Sequence, residues 1–430
     1  MCLNNKMLSR LPILVVLFLL PFDIFSADDL VYVRAGTLID VQSGVVRRDQ
    51  LISIRGDRIE AVDDADDVNI EPNATLIDLG DAYVMPGLIE LHDHLTGDHR
   101  YHGYEGLQFS VARETLFGVT NGLKTLDAGF TTVRNVGAAG YSDVALRDAI
   151  NAGEIVGPRL RVSGPALGIT GGHCDNNLLP VESGVRAEGV ADGPWAIRAK
   201  VREIIKYGAD LIKFCATGGV LSKGDSVGGQ QYTFEEMQAL VDEAHMHDRK
   251  VAAHAHGAAG IKTAIRAGVD SIEHASLIDD EGIRLAKEHG TYLVMDVYND
   301  TFILEHGASV GMLPESLEKE RMIGQLQRDN HKKAFKAGVK MAFGSDGAVY
   351  PHGDNGKQFF YMVEYGMKPM QALQAATIHA ADLIGWPDDV GAIAPGFYAD
   401  LIAVDQNPLD DISVMENVNF VMKGGKIHKQ

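Results

Sequence analysis

Leu88-Ile-Glu-Leu-His92-Asp-His94 is an apolar run that finishes on two histidines, and the same pattern returns further along the chain. Ala209-Asp-Leu-Ile-Lys213, Val251-Ala-Ala-His254-Ala-His256, Ser271-Ile-Glu-His274 and Lys340-Met-Ala-Phe-Gly-Ser-Asp346 are likewise apolar runs that end on groups able to bind a metal or move a proton. Working outward from these, β-rich runs occur at Leu88–Leu91, Thr131–Val136, Arg159–Ser163, Ala209–Phe214, Val251–Ala255, Ser271–Glu273, Thr291–Val297 and Lys340–Phe343. Helical stretches such as Glu235–His247 and Gly257–Ala267 separate them. This repeated strand–helix alternation predicts an α/β fold, a (β/α)8 TIM barrel over residues 87–387. An open doubly wound sheet would give the same alternation.

On either side of the barrel the texture is short alternating strands. Residues 27–86 contain Leu30–Ala35, Gln50–Arg55 and Arg58–Val62, broken by the turn Arg55-Gly56-Asp57. Residues 388–430 contain Ala399–Val404 and Asn419–Met422. Strands at both ends of a barrel are expected to pair into one small β-sandwich domain. Residues 1–26 differ again. Lys6 and Arg10 precede the apolar run Leu11–Leu20, and the small residues Ser26 and Ala27 follow. A charged start, a short apolar core and a small-residue end predict a secretory signal peptide, hence a secreted or periplasmic protein; an uncleaved anchor is the other reading. No later stretch is apolar enough to span a bilayer, so no membrane association is expected after cleavage.

The 430 residues carry a formal charge of -20. A surface this acidic repels phosphate backbones, which argues against nucleic acid as a partner. Of the three cysteines, Cys174 and Cys215 remain after the signal, both beside candidate site residues, and are expected to be free thiols.

Catalytic groups of a barrel gather at the C-terminal ends of its strands. His92 and His94, two residues apart on one strand, present both imidazoles to the same side, as chelation needs. Lys213 sits inside an apolar run, where an ammonium is costly; it should be paired, neutral or chemically modified. His254 and His256 share a strand face, and spacing alone does not choose between them. Together these residues bring imidazoles, an amine and a carboxylate to the ends of different strands, as a shared metal site would require.

His92-Asp-His94, Lys213, His254, His274 and Asp346 match in order and approximate spacing the metal ligands of the amidohydrolase superfamily. The run Val84-Met-Pro-Gly-Leu-Ile-Glu-Leu-His-Asp-His and the closing Gly396-Phe-Tyr-Ala-Asp-Leu-Ile-Ala-Val resemble it too. Gly129-Phe-Thr-Thr-Val-Arg, Thr170-Gly-Gly-His-Cys-Asp and His254-Ala-His-Gly look most like the branch of Xaa-Pro dipeptidase-like zinc carboxypeptidases. The resemblance implies two Zn2+ ions per chain. His92, His94 and Asp346 would hold the first and His254 and His274 the second, with a carboxylated Lys213 bridging them; His256 would stand behind. It implies a hydrolase that cuts the amide bond of dipeptides or N-acyl amino acids with a free carboxylate, and C-terminal Arg or Lys as the released residue. Prolidase-like or hydrophobic-residue carboxypeptidases, a mononuclear cyclic-amide hydrolase or deaminase, and a non-catalytic metal-binding protein are the alternatives. Relatives of this kind commonly form homo-oligomers.

Within that reading Asp346 shuttles the proton and His173 is the donor to the oxyanion. Tyr232 and Arg134 are candidates for the substrate carboxylate. Asp354 is the first choice, with Asp225, Asp296 and Asp300 as further candidates, for pairing with a cationic side chain.

Overall fold

The computed structural model describes residues 30–430; the expected signal at 1–26 lies outside them. Five N-terminal strands, β1 (Leu30–Asp40), β2 (Val45–Arg55), β3 (Arg58–Asp64), β4 (Thr75–Asp78) and β5 (Tyr83–Pro86), come first. The next eight are β6 (Leu88–Asp93), β7 (Phe130–Asn135), β8 (Arg159–Val162), β9 (Leu211–Cys215), β10 (Lys250–Gly257), β11 (Ser271–Leu277), β12 (Tyr292–Val294) and β13 (Met341–Ala342). Strands β14 (Leu401–Val404), β15 (Phe420–Lys423) and β16 (Lys426–Lys429) end the chain.

Both termini enter one eight-stranded sheet in the order β16-β15-β14-β5-β1-β2-β3, with β4 beside β1. The hairpin from β2 to β3 turns on Gly56, whose φ of 59° suits the first central position of a two-residue II′ turn. The expected two-layer sandwich is instead a single rolled sheet. β1 is eleven residues long, so β4 and β5 pair with successive parts of it and the ladder does not split into two layers. The sheet curls until the start of β3 meets the segment before β14, where Ile59 donates to Phe397 O at 2.9 Å and Gly396 to Ile59 O at 2.8 Å. Val33, Leu38, Ile52, Ile59, Leu401 and Phe420 fill the inside of the roll.

The central strands are all parallel and form two arcs, β6-β7-β8 and β9-β10-β11-β12-β13. Helices such as Phe234–Met246, Ala258–Ala267 and Pro314–Ala337 connect successive strands. Because these cover the outer faces, β6, β7 and β9 are buried at every residue. The eight strands thus lie in two arcs and do not form one continuous closed ladder. Only single bridges span the gaps, Leu167 to Phe214 and Asp93 to Gly347. Local chemistry explains the breaks. After β8 the chain turns at Gly164, φ 62°, and meets Pro165, which has no N–H for a ladder. β13 is two residues long, and Asp346 just beyond it has φ 60°. Backbone bonds still join the arcs past these points, Leu167 to Lys213 O at 2.8 Å and Asp346 to His92 O at 2.7 Å. The second of these brings the end of β6 against the segment carrying Asp346. Among the described residues no helix is long and apolar enough to cross a membrane.

Candidate active site

A cavity of about 700 Å³ opens at the C-terminal ends of the central strands, and His92, His94, Lys213, His254, His274 and Asp346 all line it. Their rings are close. His274 lies 4.8 Å from His92 and 4.6 Å from both His254 and His256, centroid to centroid. Asp346 Oδ1 is 3.4 Å from His92 Nε2 and 3.3 Å from His94 Nε2. Two sets of donor atoms are compact enough to hold a cation, His92-His274-Asp346 and His254-His256-His274, each within 4.8 Å. His256 therefore reaches the donor cluster, which strand alternation allowed and spacing could not decide.

Two of these donors wait without partners. Lys213 Nζ and His254 Nε2 are buried and make no hydrogen bond; His92 Nδ1 faces Glu273 Oε2 at 3.4 Å and its Nε2 faces Asp346. A buried polar atom left unmade costs about 1–3 kcal/mol, so two in one cavity fit a cation site better than a finished apolar core. Burial above all, with neighbouring amine and imidazole groups adding to it, holds His92, His254 and His256 well below the ordinary histidine value. Their lone pairs are thus free at neutral pH. Burial also lowers Lys213 to about 8. For Asp346 burial works upward, but His92 and His94 outweigh it and keep the carboxylate ionised. The donor chemistry, imidazoles with one carboxylate and one amine, suits zinc.

An outer layer fixes these groups. His274 Nδ1 faces both oxygens of Asp296 at 2.9 and 3.0 Å. Asp296 also accepts from Gln327 Nε2 at 2.8 Å and from Asn299 Nδ2. The carboxylate holds the proton on Nδ1 and turns Nε2 toward the cavity. His256 Nδ1 pairs with Ser276 Oγ at 2.8 Å. Below the cavity, buried Glu90 accepts from His92 N at 2.9 Å and Ser345 N at 3.0 Å, clamping β6 to the Asp346 segment. His274, Ala275, Asp346 and Ala348 all have φ between 52° and 85°. Such backbone is uncommon for residues with a β-carbon and concentrates at functional sites.

His173 lines the same cavity and stacks on His254, centroids 4.1 Å apart at 18°. Its Nδ1 is 2.7 Å from Ser222 Oγ, which donates to Asp225 Oδ1 at 2.6 Å; Lys319 Nζ holds the same oxygen at 3.0 Å. Since Ser222 gives its proton to the carboxylate, it accepts from Nδ1–H, and His173 presents a bare Nε2 to the cavity. Burial lowers His173 to about 4. In this tautomer it accepts a hydrogen bond, and it becomes a donor to an oxyanion only after taking a proton.

Three expected substrate contacts lie outside the cavity. Tyr232 is buried, with its hydroxyl donating to Ala191 O at 3.0 Å, because the capped helix at Phe234–Met246 turns that ring into the core. Arg134 is buried beneath the site and gives Nη2 to both oxygens of Glu273 at 2.8 and 2.9 Å, so its charge is spent inside the protein. Asp354 faces Lys357 Nζ at 2.7 Å in the turn after the cavity wall. Asp300 is taken by Arg328 at 3.0 Å, and Asp225 supports His173. The cysteines also differ from expectation: Cys174 and Cys215 form a disulfide with Cα atoms 5.9 Å apart. Gly168 permits it, since a β-carbon there would lie 2.7 Å from Cys174 Cβ. The link ties the His173 loop to β9, which carries Lys213.

A parallel α/β scaffold with an imidazole-rich cavity at its strand ends defines a class, the hydrolases built around a metal site on such a scaffold. The chain belongs to the amidohydrolase family, which it matches over residues 83–428, and its homologues make it a hydrolytic enzyme acting on amide bonds. It is 36% identical to ochratoxinase from Aspergillus niger over 369 residues, covering 80% of this chain and 75% of that protein. Among solved structures, a Xaa-Pro dipeptidase with bound methionine in its active site superposes with a TM-score of 0.87 at 39% identity, over 94% of this chain and 100% of the other. A prolidase complexed with N-methylphosphonate-L-proline gives 0.85 at 34% identity, over 93% and 100%.

Proposed function

We propose that this enzyme is a binuclear zinc dipeptidase or N-acyl amino acid hydrolase that acts on substrates with a free C-terminal carboxylate and releases arginine or lysine. The observation that carries the two-metal reading is Lys213. Its amine is buried, makes no hydrogen bond and lines the same cavity as both donor sets. A neutral amine there can add to CO2 and lose a proton, giving an anionic carbamate that would be a further ligand beside the imidazoles.

When bound, two zinc ions would supply a water acidic enough to attack at neutral pH and an electrophile for the scissile carbonyl. The protein residues do the rest. Ionised Asp346 accepts the proton of the attacking water and delivers it to the leaving nitrogen. His274, oriented by Asp296, and His92, against Asp346, keep the donors converged. His173 Nε2 accepts the N–H of the substrate amide and aligns the bond.

For the released residue, the cavity mouth replaces Asp354. Glu114 and Glu188 both line it, and burial and then the Glu188 charge raise Glu114. A cationic side chain between them relieves that repulsion. Asn176 lines the same cavity and would donate to the substrate carboxylate, whereas Arg186 there is held by Asp192 and Thr170, each at 2.9 Å. The cystine at 174 and 215 supports an oxidising location and with it the secreted or periplasmic reading.

The test is a dipeptide library varied at the C-terminal residue, assayed with zinc and bicarbonate, with metal counted per chain. Hydrolysis of Xaa-Arg and Xaa-Lys ahead of Xaa-Leu, Xaa-Met and Xaa-Pro, with two zinc ions bound, is the expected outcome. A preference for proline or apolar residues would overturn the specificity, and a single metal the mechanism.

A further inference from the structure

At the N-terminal ends of the central strands, away from the candidate active site, a crevice of about 510 Å³ collects Arg147, Arg159, Arg161 and Arg249 with Asp210 and Trp386. Arg159 and Arg161 lie on β8, and Arg249 immediately precedes β10. Four guanidiniums in one concavity are unexpected on a chain with formal charge -20.

Their internal partners do not suffice. Arg147 holds Asp148 and Asp210, each at 2.8 Å. Arg159 holds Asp400, outside the crevice lining. For Arg161 the near carboxylate oxygen is that of Asp210 at 3.6 Å, the group that Arg147 already binds and that also caps Val162 N at 3.1 Å. Arg161 Nε is buried and has no hydrogen-bond partner. Arg249 donates to two carbonyls, Ala209 O and His247 O, each at 3.1 Å, and no carboxylate of the described residues pairs with it. Arg161 also stacks over the Trp386 ring at 4.0 Å, which fixes the plane of its guanidinium. Burial opposes the Arg161 charge, Asp210 supports it, and Arg249 and Arg147 oppose it again. Arg147 therefore takes Asp148 and most of Asp210, Arg161 keeps only a distant share of Asp210, and Arg249 has no carboxylate, which leaves donors and positive charge unmatched in a half-enclosed space.

We infer that this crevice is a binding site for a small dianionic oxyanion of the phosphate class, held between Arg161 and Arg249. Guanidinium forks match tetrahedral oxyanions, and a half-buried site strengthens each charge-assisted bond. The volume admits a phosphomonoester as well as the free ion. The site is separate from the hydrolytic reading and does not depend on it.

Trp386 supplies the assay. The chain has two tryptophans, and the other, Trp195, is 84% exposed in the first turn of its helix and does not line the crevice. In a W195F background, Trp386 emission is titrated with inorganic phosphate and, separately, phenyl phosphate, against sodium chloride of equal ionic strength. A saturable change with either phosphate and none with chloride, weakened at least tenfold in both R161Q and R249Q, is expected. R249Q leaves the Arg161–Trp386 stack in place, so its loss of response reports binding and not a disturbed fluorophore. Phosphate held in the metal cavity instead would leave the Trp386 response absent, or unchanged by R249Q, and either result overturns the inference. A thermal midpoint raised by phosphate in the parent and not in R249Q is the second expected reading.

Discussion

Replacing Asp296 by Asn keeps the side-chain shape and removes one acceptor from a crowded place. Three donors converge on this carboxylate: His274 Nδ1, Asn299 Nδ2 and Gln327 Nε2. An amide offers one oxygen, and its NH2 must face at least one of those donors. One buried mismatch of that kind costs about 1–3 kcal/mol. Loss of a group that orients a metal-binding histidine usually weakens metal affinity or activity by about 10–100-fold, which is about 1.4–2.8 kcal/mol. The two estimates agree, and D296N should bind zinc about 10–100-fold more weakly. The assay is competition with a chromophoric chelator, read beside kcat/KM at saturating zinc and circular dichroism to establish folding. A folded D296N with zinc affinity and kcat/KM both within twofold of the parent would refute the assignment of His274 as a ligand oriented through Nδ1.

Other outcomes can be checked with equal directness. R134A should lose about 3–5 kcal/mol of stability, because it strands the buried Glu273 carboxylate; a folded R134A whose only defect is a raised KM would restore Arg134 as a substrate contact. Y232F removes one hydrogen bond, worth about 1 kcal/mol in a denaturant titration, and should leave KM unchanged. Reducing the Cys174–Cys215 link, which spans 41 residues, should lower stability by about 4 kcal/mol on chain-entropy grounds, read as a drop in Tm with reductant that the C174S/C215S variant no longer shows. Glu243 is held at about 2, first by its Arg202 hydrogen bond. Its folded pKa is below the ordinary 4.5, so the unfolded chain binds the extra proton, and this stability is present above pH 4.5 and lost on descent toward pH 2. E243Q should accordingly be less stable than the parent at pH 6, and the two should converge near pH 2 in urea melts.

The cluster was legible because a strand's period of two and the rule that barrel ends carry chemistry place His92, His94, Lys213, His254, His274 and Asp346 together without any tertiary knowledge. What failed were residues whose partners come from far along the chain. Arg134 read equally as a substrate contact or a structural ion pair, because Glu273 lies 139 residues away and spacing does not reveal it. Tyr232 sits beside a helix cap, and only the packing against Ala191 shows that it turns inward. Asp296 was one acid among 59, and its bond to His274 needs β12 and β11 to be adjacent. Glu90 could have been noticed: it shares the strand face of His92, and an acid in a fully apolar run demands a partner. The disulfide depends on a loop folding back over β9, which no spacing reveals. The barrel ladder broke where Pro165 lacks a donor, a signal present in the sequence but outweighed by the periodic pattern.

The left-handed backbone at His274, Ala275, Asp346 and Ala348 has a consequence for how this lineage can change. Each such residue costs about 1–3 kcal/mol, so the four hold on the order of 4–12 kcal/mol, as large as the whole margin that keeps a domain folded. Glycine at 275 or 348 would relax that tension with a single codon change. Under selection for heat tolerance alone those two positions should drift to glycine, and under selection for turnover they should stay alanine; sequencing the survivors of both regimes would show which pressure shaped the rim.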